Sequence, residues 1–411
     1  MSTSPHNTRL IVWILGALAT VTPFAIDLYL PSFGQIAEEF GTTAAKISLS
    51  VSSYFIGMAV GQMLYGPLLD RFGRKNPLYA GLVVFIMASG GCSMASDTEA
   101  LIALRFIQAL GGSVAWVAAL AMVRDFFPVH ESAKIFSLLF LVIGVSPLLA
   151  PTVGGFITTA LGWRFIFITL ALIAVFVIGI VRFYLPDGQA PDTTVSLRAK
   201  PMANTFFTIL TQPQFATFVF AGAFSFSTLF IYVAGSPVIF MEIFNVGPQV
   251  YGGIFAFLSV GFIGGSQVNI FLSKRFGSDK IFRIALFCQL ISTVLFLLLA
   301  LNNWVDLYVC VAMFFACLTC IGLTNPNASA LALAPFTRNI GSASALMAFT
   351  QIGISALASA GIAAFDSLSV VPVVSLMTVT CAISVFIYWI GQRRLGTNIV
   401  MGAVSPENVG H

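Results

Sequence analysis

Twelve long apolar stretches leave this chain few ways to fold. They run over about 10–31, 46–68, 77–95, 100–123, 134–160, 163–185, 214–237, 249–273, 281–301, 305–333, 340–365 and 369–391. Each is close to or above the roughly 20 residues a helix needs to cross a bilayer. Only 8% of the residues are charged and 58% are hydrophobic, whereas a soluble domain carries roughly 25% charge. No water-soluble core encloses that much apolar surface, so the solvent must be lipid. A chain in lipid has to satisfy its own backbone hydrogen bonds, by helices or by a closed barrel. Barrel strands alternate apolar and polar residues, and these stretches do not. The expectation is an all-α integral membrane protein with twelve spans, numbered 1 to 12 in chain order.

Charge placement sets the orientation. Of the nineteen cations, only Lys46 and Arg164 fall in loops on the outer side and Arg105 falls inside a span; the other sixteen lie in segments on one face of the membrane or beside them. Cytoplasmic loops hold such an excess, so both termini are expected inside, in the cell's inner (cytoplasmic) membrane. The net charge of +4 follows from this topology and gives no reason to expect nucleic acid. The first stretch lacks a small-residue cleavage site, so it is expected to stay as a span rather than leave as a signal peptide. All six cysteines fall in apolar stretches; Cys317-x-x-Cys320 has no matching pair or histidine cluster beside it, and the cysteines read as small packing residues. No metal or other cofactor is expected. His6, His130 and His411 lie outside the spans and no nucleotide-binding loop is present, which argues against an enzyme and against an ATP-driven pump.

The polar, proline-bearing segment 187–212 divides the chain into an N-terminal bundle (1–186) and a C-terminal bundle (213–392), followed by a tail (393–411). The halves echo each other. Arg71-Phe72-Gly73 and Arg275-Phe276-Gly277 sit 204 residues apart, and Leu30-Pro31 and Ser236-Pro237 sit 206 apart. Two similar offsets argue for a duplicated six-helix unit, of the kind that rocks around a central site.

Asp27 is the chemically informative residue. A carboxylate deep in an apolar span costs roughly 2.5–3.5 kcal/mol even on the mild insertion scale, and such residues usually serve an ion or proton path. The matching position in the second half, near Ile231 to Val233, is apolar, and no ionisable residue falls inside a span there, so proton chemistry is expected in the first half. Helix rise places Asp27 about 27 Å above Arg9, Arg105 about 28 Å above the inner end of span 4, and Tyr54 about 25 Å above Arg71. A carboxylate, a guanidinium and a phenol at one height form a candidate cluster in which Arg105 and desolvation pull the acid in opposite directions. The alternative is that Arg105 snorkels to the outer headgroups.

Four motifs resemble the major facilitator superfamily. Gly66-Pro67-Leu68-Leu69-Asp70-Arg71-Phe72-Gly73-Arg74-Lys75 resembles its loop 2–3 signature. Arg105-Phe106-Ile107-Gln108-Ala109-Leu110-Gly111-Gly112 resembles the span 4 motif of proton-coupled members. Gly144, Pro147, Pro151, Gly154 and Gly155 resemble the antiporter motif of drug exporters, with Ser146 where glycine usually precedes proline. Asp27-Leu28-Tyr29-Leu30-Pro31 is similar to the span 1 pattern of the bicyclomycin-resistance (Bcr/CflA) branch of drug:proton antiporters. Some relatives carry a second acid two turns earlier; Leu18-Ala19-Thr20 offers none, and Lys274 to Lys280 is only a remnant of the loop signature.

The resemblance implies the major facilitator fold, two pseudo-symmetric bundles of six helices. It also implies proton-coupled export of small lipophilic or amphipathic compounds, including bicyclomycin- or chloramphenicol-like drugs, by a chain working as a monomer. Asp27 and Arg105 would couple to protons. Gly66, Asp70, Arg71, Gly73 and Arg74 would latch the cytoplasmic side, with the start of span 11 near Gly341-Ser342 as partner. Tyr29, Tyr54, Gln108, Trp116, Phe226, Phe230, Tyr232, Asn325 and Gln351 are the expected cavity residues, joined by Phe255; an aromatic lining with few polar groups suits a bulky amphipathic solute. Two alternatives stand beside this. One is a dedicated proton-linked exporter of a metabolite (amino acid, nucleoside, sugar or siderophore). The other is a nutrient importer or passive facilitator, against which Asp27 and the span 5 pattern speak.

Overall fold

The computed structural model describes residues 5–127, 129–192, 206–273, 275–336, 340–365 and 369–395. Its helices are α1 (Pro5–Asp27), α2 (Phe33–Glu39), α3 (Ala44–Phe72), α4 (Lys75–Ser93), α5 (Thr98–Phe126), α6 (Val129–Leu161), α7 (Arg164–Tyr184), α8 (Pro213–Pro237), α9 (Pro248–Leu272), α10 (Ser278–Leu301), α11 (Leu307–Leu333), α12 (Ile340–Ala360) and α13 (Val371–Leu395). All but the short α2 correspond to the twelve expected spans. Eleven are long and apolar enough to cross a membrane among the described residues; α6 has its described apolar part in Ser146–Leu161. No strand occurs among the described residues.

Two ends differ from the sequence expectation. Span 1 does not stop at residue 31. α1 ends at Asp27, a 3-10 turn over Leu30–Ser32 follows with Pro31 in its first turn, and the chain re-enters a helix to Glu39. Proline has no N–H to donate and fixes φ, so it suits the first turn of a new helical piece better than the interior of an old one. Span 7 likewise runs past Pro237 into a π-helical turn over Val238–Ile243, a form that concentrates at functional sites.

By contacts the chain falls into two compact units. The first comprises Met1–Leu197, Val233–Ser259 and Ser359–Val370; the second comprises Arg198–Tyr232, Val260–Ala358 and Val371–His411. The first unit therefore contains the 1–186 segment together with the end of α8, the π-helical turn and the first half of α9.

Both faces of α7 are apolar, so burial there is decided by shape. In α7, Leu172, Val175 and Phe176 are exposed at helical spacing while Phe167, Leu170, Ala174 and Val177 are buried. A soluble helix would be polar on the exposed stripe; here that stripe faces lipid. Close approach is governed by small residues, as is usual between membrane helices. Gly57 of α3 lies against the Phe106 carbonyl of α5, where an added Cβ would come within 2.4 Å of the oxygen. That contact sets the spacing between the helices carrying Tyr54 and Arg105. The second unit has its own aromatic core, with Phe218, Phe282 and Tyr388 in mutual ring contact. Its buried polar network joins Ser225, Gln289, Thr324 and Thr228.

Candidate functional site

Asp27 is the last residue of α1 and is 6% exposed. The helix end at Asp27 and the 3-10 turn after it turn Tyr29 inward, where it is fully buried. Arg105, from the first third of α5, is also fully buried, so it does not snorkel. Its guanidinium lies 4.2 Å from the ring centroid of Tyr54, 4.7 Å from that of Tyr29 and 5.8 Å from that of Phe167. Nη1 donates to Oε1 of Gln108 at 2.5 Å, and Gln108 donates to Ser89 at 2.7 Å. Nε and Nη2 of Arg105 have no hydrogen-bond partner among the described residues. The negative faces of the aromatic rings carry the cation instead, an interaction worth ~2 kcal/mol when desolvated. Tyr29 is held by Ser50 at 2.9 Å and by ring contacts to Phe33 and Phe167.

The expected cluster therefore splits. Arg105 and Tyr54 meet, but no ion pair forms between Arg105 and Asp27 among the described residues. Ser146 of α6 lies beside Asp27, although its hydroxyl has no hydrogen-bond partner of ordinary geometry among the described residues. Tyr251 of α9 also lies within electrostatic reach of Asp27, and its hydroxyl bonds to Ser236 at 2.8 Å. Neither Tyr251 nor Ser236 is a candidate from sequence. They follow Asp27 by more than two hundred positions, and no spacing rule joins them to it.

The glycine-rich end of α6 packs against both α1 and α9. α6 continues as one helix through Pro147 and Pro151. A Cβ on Gly154 would sit 2.1 Å from the Leu28 carbonyl oxygen, and one on Gly155 would sit 2.8 Å from that of Pro248. The same turn of α6 thus touches the backbone next to Asp27 and the first residue of α9. Gly144 lies in α6, and its surroundings fall outside the described residues.

The remaining expected cavity residues fall in two groups. Tyr29, Tyr54, Gln108 and the part-buried Trp116 belong to the first unit. Phe255, from α9, is buried there too, against Tyr251. In the second unit, Phe226 and Phe230 stack at 5.4 Å, Tyr232 packs on Phe314 at 5.1 Å, and Gln351 donates to Asn325 at 2.5 Å.

The loop 2–3 signature is knit into the first unit. Gly73 adopts φ +79°, a backbone region that suits glycine. Arg74, 6% exposed, bonds to Asp70 at 2.6 Å, to Asp125 at 2.7 Å and to Gln189 at 2.6 Å. Arg71 lies over Phe72, and Gly66 has open space around it. The first linker residues fold onto this cluster: Gln189 N–H donates to Asp125 and Asp192 N–H to the Asp70 carbonyl. The Lys75 ammonium, 2.8 Å from Asp187, hydrogen-bonds that carboxyl and holds it below its ordinary range. The surroundings of Gly341, named as the partner of the latch, fall outside the described residues. Arg74→Ala strands the part-buried Asp125 and is expected to cost about 3 kcal/mol. A lower melting temperature in detergent and faster protease cleavage within 187–192 would register it; an unchanged melt and an unchanged cleavage pattern would contradict it.

Residues 15–360 match the Major Facilitator Superfamily, and the chain belongs to that family: it is a multi-pass membrane transporter of small molecules and not an enzyme. It is similar to the Bicyclomycin resistance protein homolog of Haemophilus influenzae, at 29% identity over 391 residues covering 94% of this chain and 97% of that protein. It is also similar to Multidrug resistance protein MdtL of Escherichia coli, at 30% identity over 338 residues covering 82% and 84%. Among solved structures it shares its fold with a bacterial homolog of the human lysosomal transporter Spinster, with a TM-score of 0.71 at 14% identity over 95% of this chain and 98% of that one.

Proposed function

We propose that this chain exports small lipophilic or amphipathic compounds, drugs of the bicyclomycin and chloramphenicol kind among them, in exchange for protons. It would do so as a monomer in the inner membrane with both termini in the cytoplasm. The observation that carries this is Asp27: a carboxyl 6% exposed, at the end of α1, whose neighbour Leu28 lies against the antiporter-motif helix, and with no cation paired to it among the described residues. A buried acid without a countercharge is favoured in its neutral form. A change that admits water or cargo shifts that balance, so proton and cargo compete for one state of the protein. The relatives' names, bicyclomycin resistance and multidrug resistance, supply the substrate class. Arg105, sleeved in aromatic rings, would set the local positive potential without neutralising Asp27.

The test is purified protein in liposomes loaded with a pH-sensitive dye. Adding chloramphenicol or bicyclomycin under an imposed pH gradient is expected to release protons in step with drug movement. Drug accumulation indifferent to the gradient would overturn the exchange.

A further inference from the structure

We infer that the cavity where α2, the end of α6 and the start of α7 meet binds a phospholipid with a primary-ammonium headgroup (phosphatidylethanolamine), its ammonium on Glu38 and an acyl chain along α7. The site is separate from Asp27 and from any cargo.

The cavity holds about 400 Å³ and lies wholly within the first unit. Gln35, Glu38 and Glu39 of α2 line it together with Trp163, Arg164 and Phe165. Its depth in the membrane follows from α7. That helix has 21 residues, so it is about 31 Å long, close to the roughly 30 Å of bilayer hydrocarbon. Its first residue, Arg164, therefore sits where hydrocarbon gives way to headgroups. Trp163 beside it is a residue type enriched at that level.

The polar groups of the lining are unequally engaged. Glu39 accepts from the Trp163 indole at 2.7 Å and from Nη1 of Arg164 at 2.7 Å. Arg164 also donates through Nη2 to the Ala95 carbonyl at 3.2 Å and lies over the Trp163 ring at 4.3 Å. The Glu38 carboxylate has no ion pair among the described residues. Gln35 donates its amide N–H to the Thr158 carbonyl at 3.1 Å, so its amide oxygen remains an acceptor. Two carboxylates against one guanidinium give the lining one net negative charge, which repels an anionic headgroup and attracts a cation. A primary ammonium brings three N–H donors, which the Glu38 carboxylate and the Gln35 oxygen can share. A choline headgroup has no N–H to give. The phosphate next to the ammonium meets the guanidinium donors that Glu39 and Ala95 leave over; Arg164 carries five.

The apolar side of the site points to a lipid rather than a soluble amine. From Phe165, exposed apolar residues continue down α7 at Ile168, Leu172 and Val175. Steps of three and four residues put them on one face of the helix. Ten residues descend about 15 Å, roughly half the hydrocarbon thickness and so the depth of one leaflet. A headgroup held at Glu38 thus has a path for its chain directly beneath it.

The test is native mass spectrometry of the purified full-length protein in detergent, which counts bound lipids one at a time. Phosphatidylethanolamine, phosphatidylcholine and phosphatidylglycerol with identical acyl chains are titrated separately against the wild type and Glu38→Gln. Glu38 is exposed, so the substitution should leave the melting temperature where it was. The first phosphatidylethanolamine should bind the wild type about tenfold more tightly than either other lipid, the size of one hydrogen bond to a charged group. Glu38→Gln should bring it to the level of phosphatidylcholine and leave phosphatidylcholine unchanged. Glycerophosphoethanolamine, the headgroup without chains, should compete only at about a hundredfold higher concentration or more, since each buried CH₂ adds about 0.8 kcal/mol. Equal binding of the three lipids, a preference that survives Glu38→Gln, or equal competition by the chainless headgroup would overturn the assignment. None of these outcomes bears on Asp27 as the coupling acid.

Discussion

Asp27→Asn is expected to remove gradient-driven export entirely while leaving downhill exchange of drug in place. One proton exchanged for one neutral molecule yields at most tenfold accumulation per unit of pH difference, since each tenfold ratio corresponds to about 1.4 kcal/mol. Inverted vesicles with an acidic interior should thus accumulate chloramphenicol about tenfold per pH unit with the wild type and not at all with the variant. The sign follows from the chemistry: the acid takes up a proton from the acidic side and gives it up on the other. Asparagine keeps the size of the side chain and its fit at the end of α1, but it cannot change charge. The variant should fold at least as well as the wild type, because a buried ionisable group is replaced by a neutral one. A variant that still concentrates drug in response to the gradient would mean that the coupling acid is elsewhere.

Gly154→Val should be the most damaging single change to the fold of the first unit. Its Cβ would have to occupy a point 2.1 Å from the Leu28 carbonyl oxygen, with the Leu28 carbonyl carbon and Cα at 2.9 and 3.0 Å. All three are backbone atoms, so no rotamer change relieves the clash and α6 must move away from α1. Overpacking typically costs 1–3 kcal/mol; a branched side chain driven into backbone belongs at or above the top of that range, about 3 kcal/mol. Melting in detergent should drop by several degrees, and transport should fail with it, because the same turn holds α9 against α6. Gly179 in α7 has nothing within 4 Å of its Cβ position, so Gly179→Ala serves as the matched control and should melt no lower than the wild type. Equal melting of the two variants would show that the α1–α6 contact matters less than its geometry implies.

The spans were legible because bilayer thickness fixes helix length and twelve stretches meet it. The family was legible because short motifs such as Gly66 to Lys75 need particular residues at particular steps. Helix rise gave the height of Asp27, Arg105 and Tyr54 in the membrane, but their bearing around each helix axis was not readable. Each residue turns a helix by about 100°, and the crossing of α1 and α5 decides which side chains face. Hence Arg105 found Tyr54 and Tyr29 while Asp27 lies beside α6. The break after Asp27 was half visible in Pro31; the π-helical turn had no signal beyond Pro237. Tyr251 was unreadable for a different reason. Its burial and its bond to Ser236 depend on Gly155 and Gly252 bringing α9 into backbone contact with α6, a property of folded surfaces rather than of spacing along the chain. The segment 187–212 was readable as a polar connection, but not the docking of its start on Arg74 and Asp125.

That docking has a practical consequence for anyone building reporters into this transporter. Residues 187–192 are stitched to the end of α3 and the start of α4 by Gln189, Asp192 and the Lys75–Asp187 pair. A fluorescent protein or an affinity epitope spliced in before Asp192 would tear out the ligands of Arg74, whereas the same cargo inserted further along would leave those bonds intact.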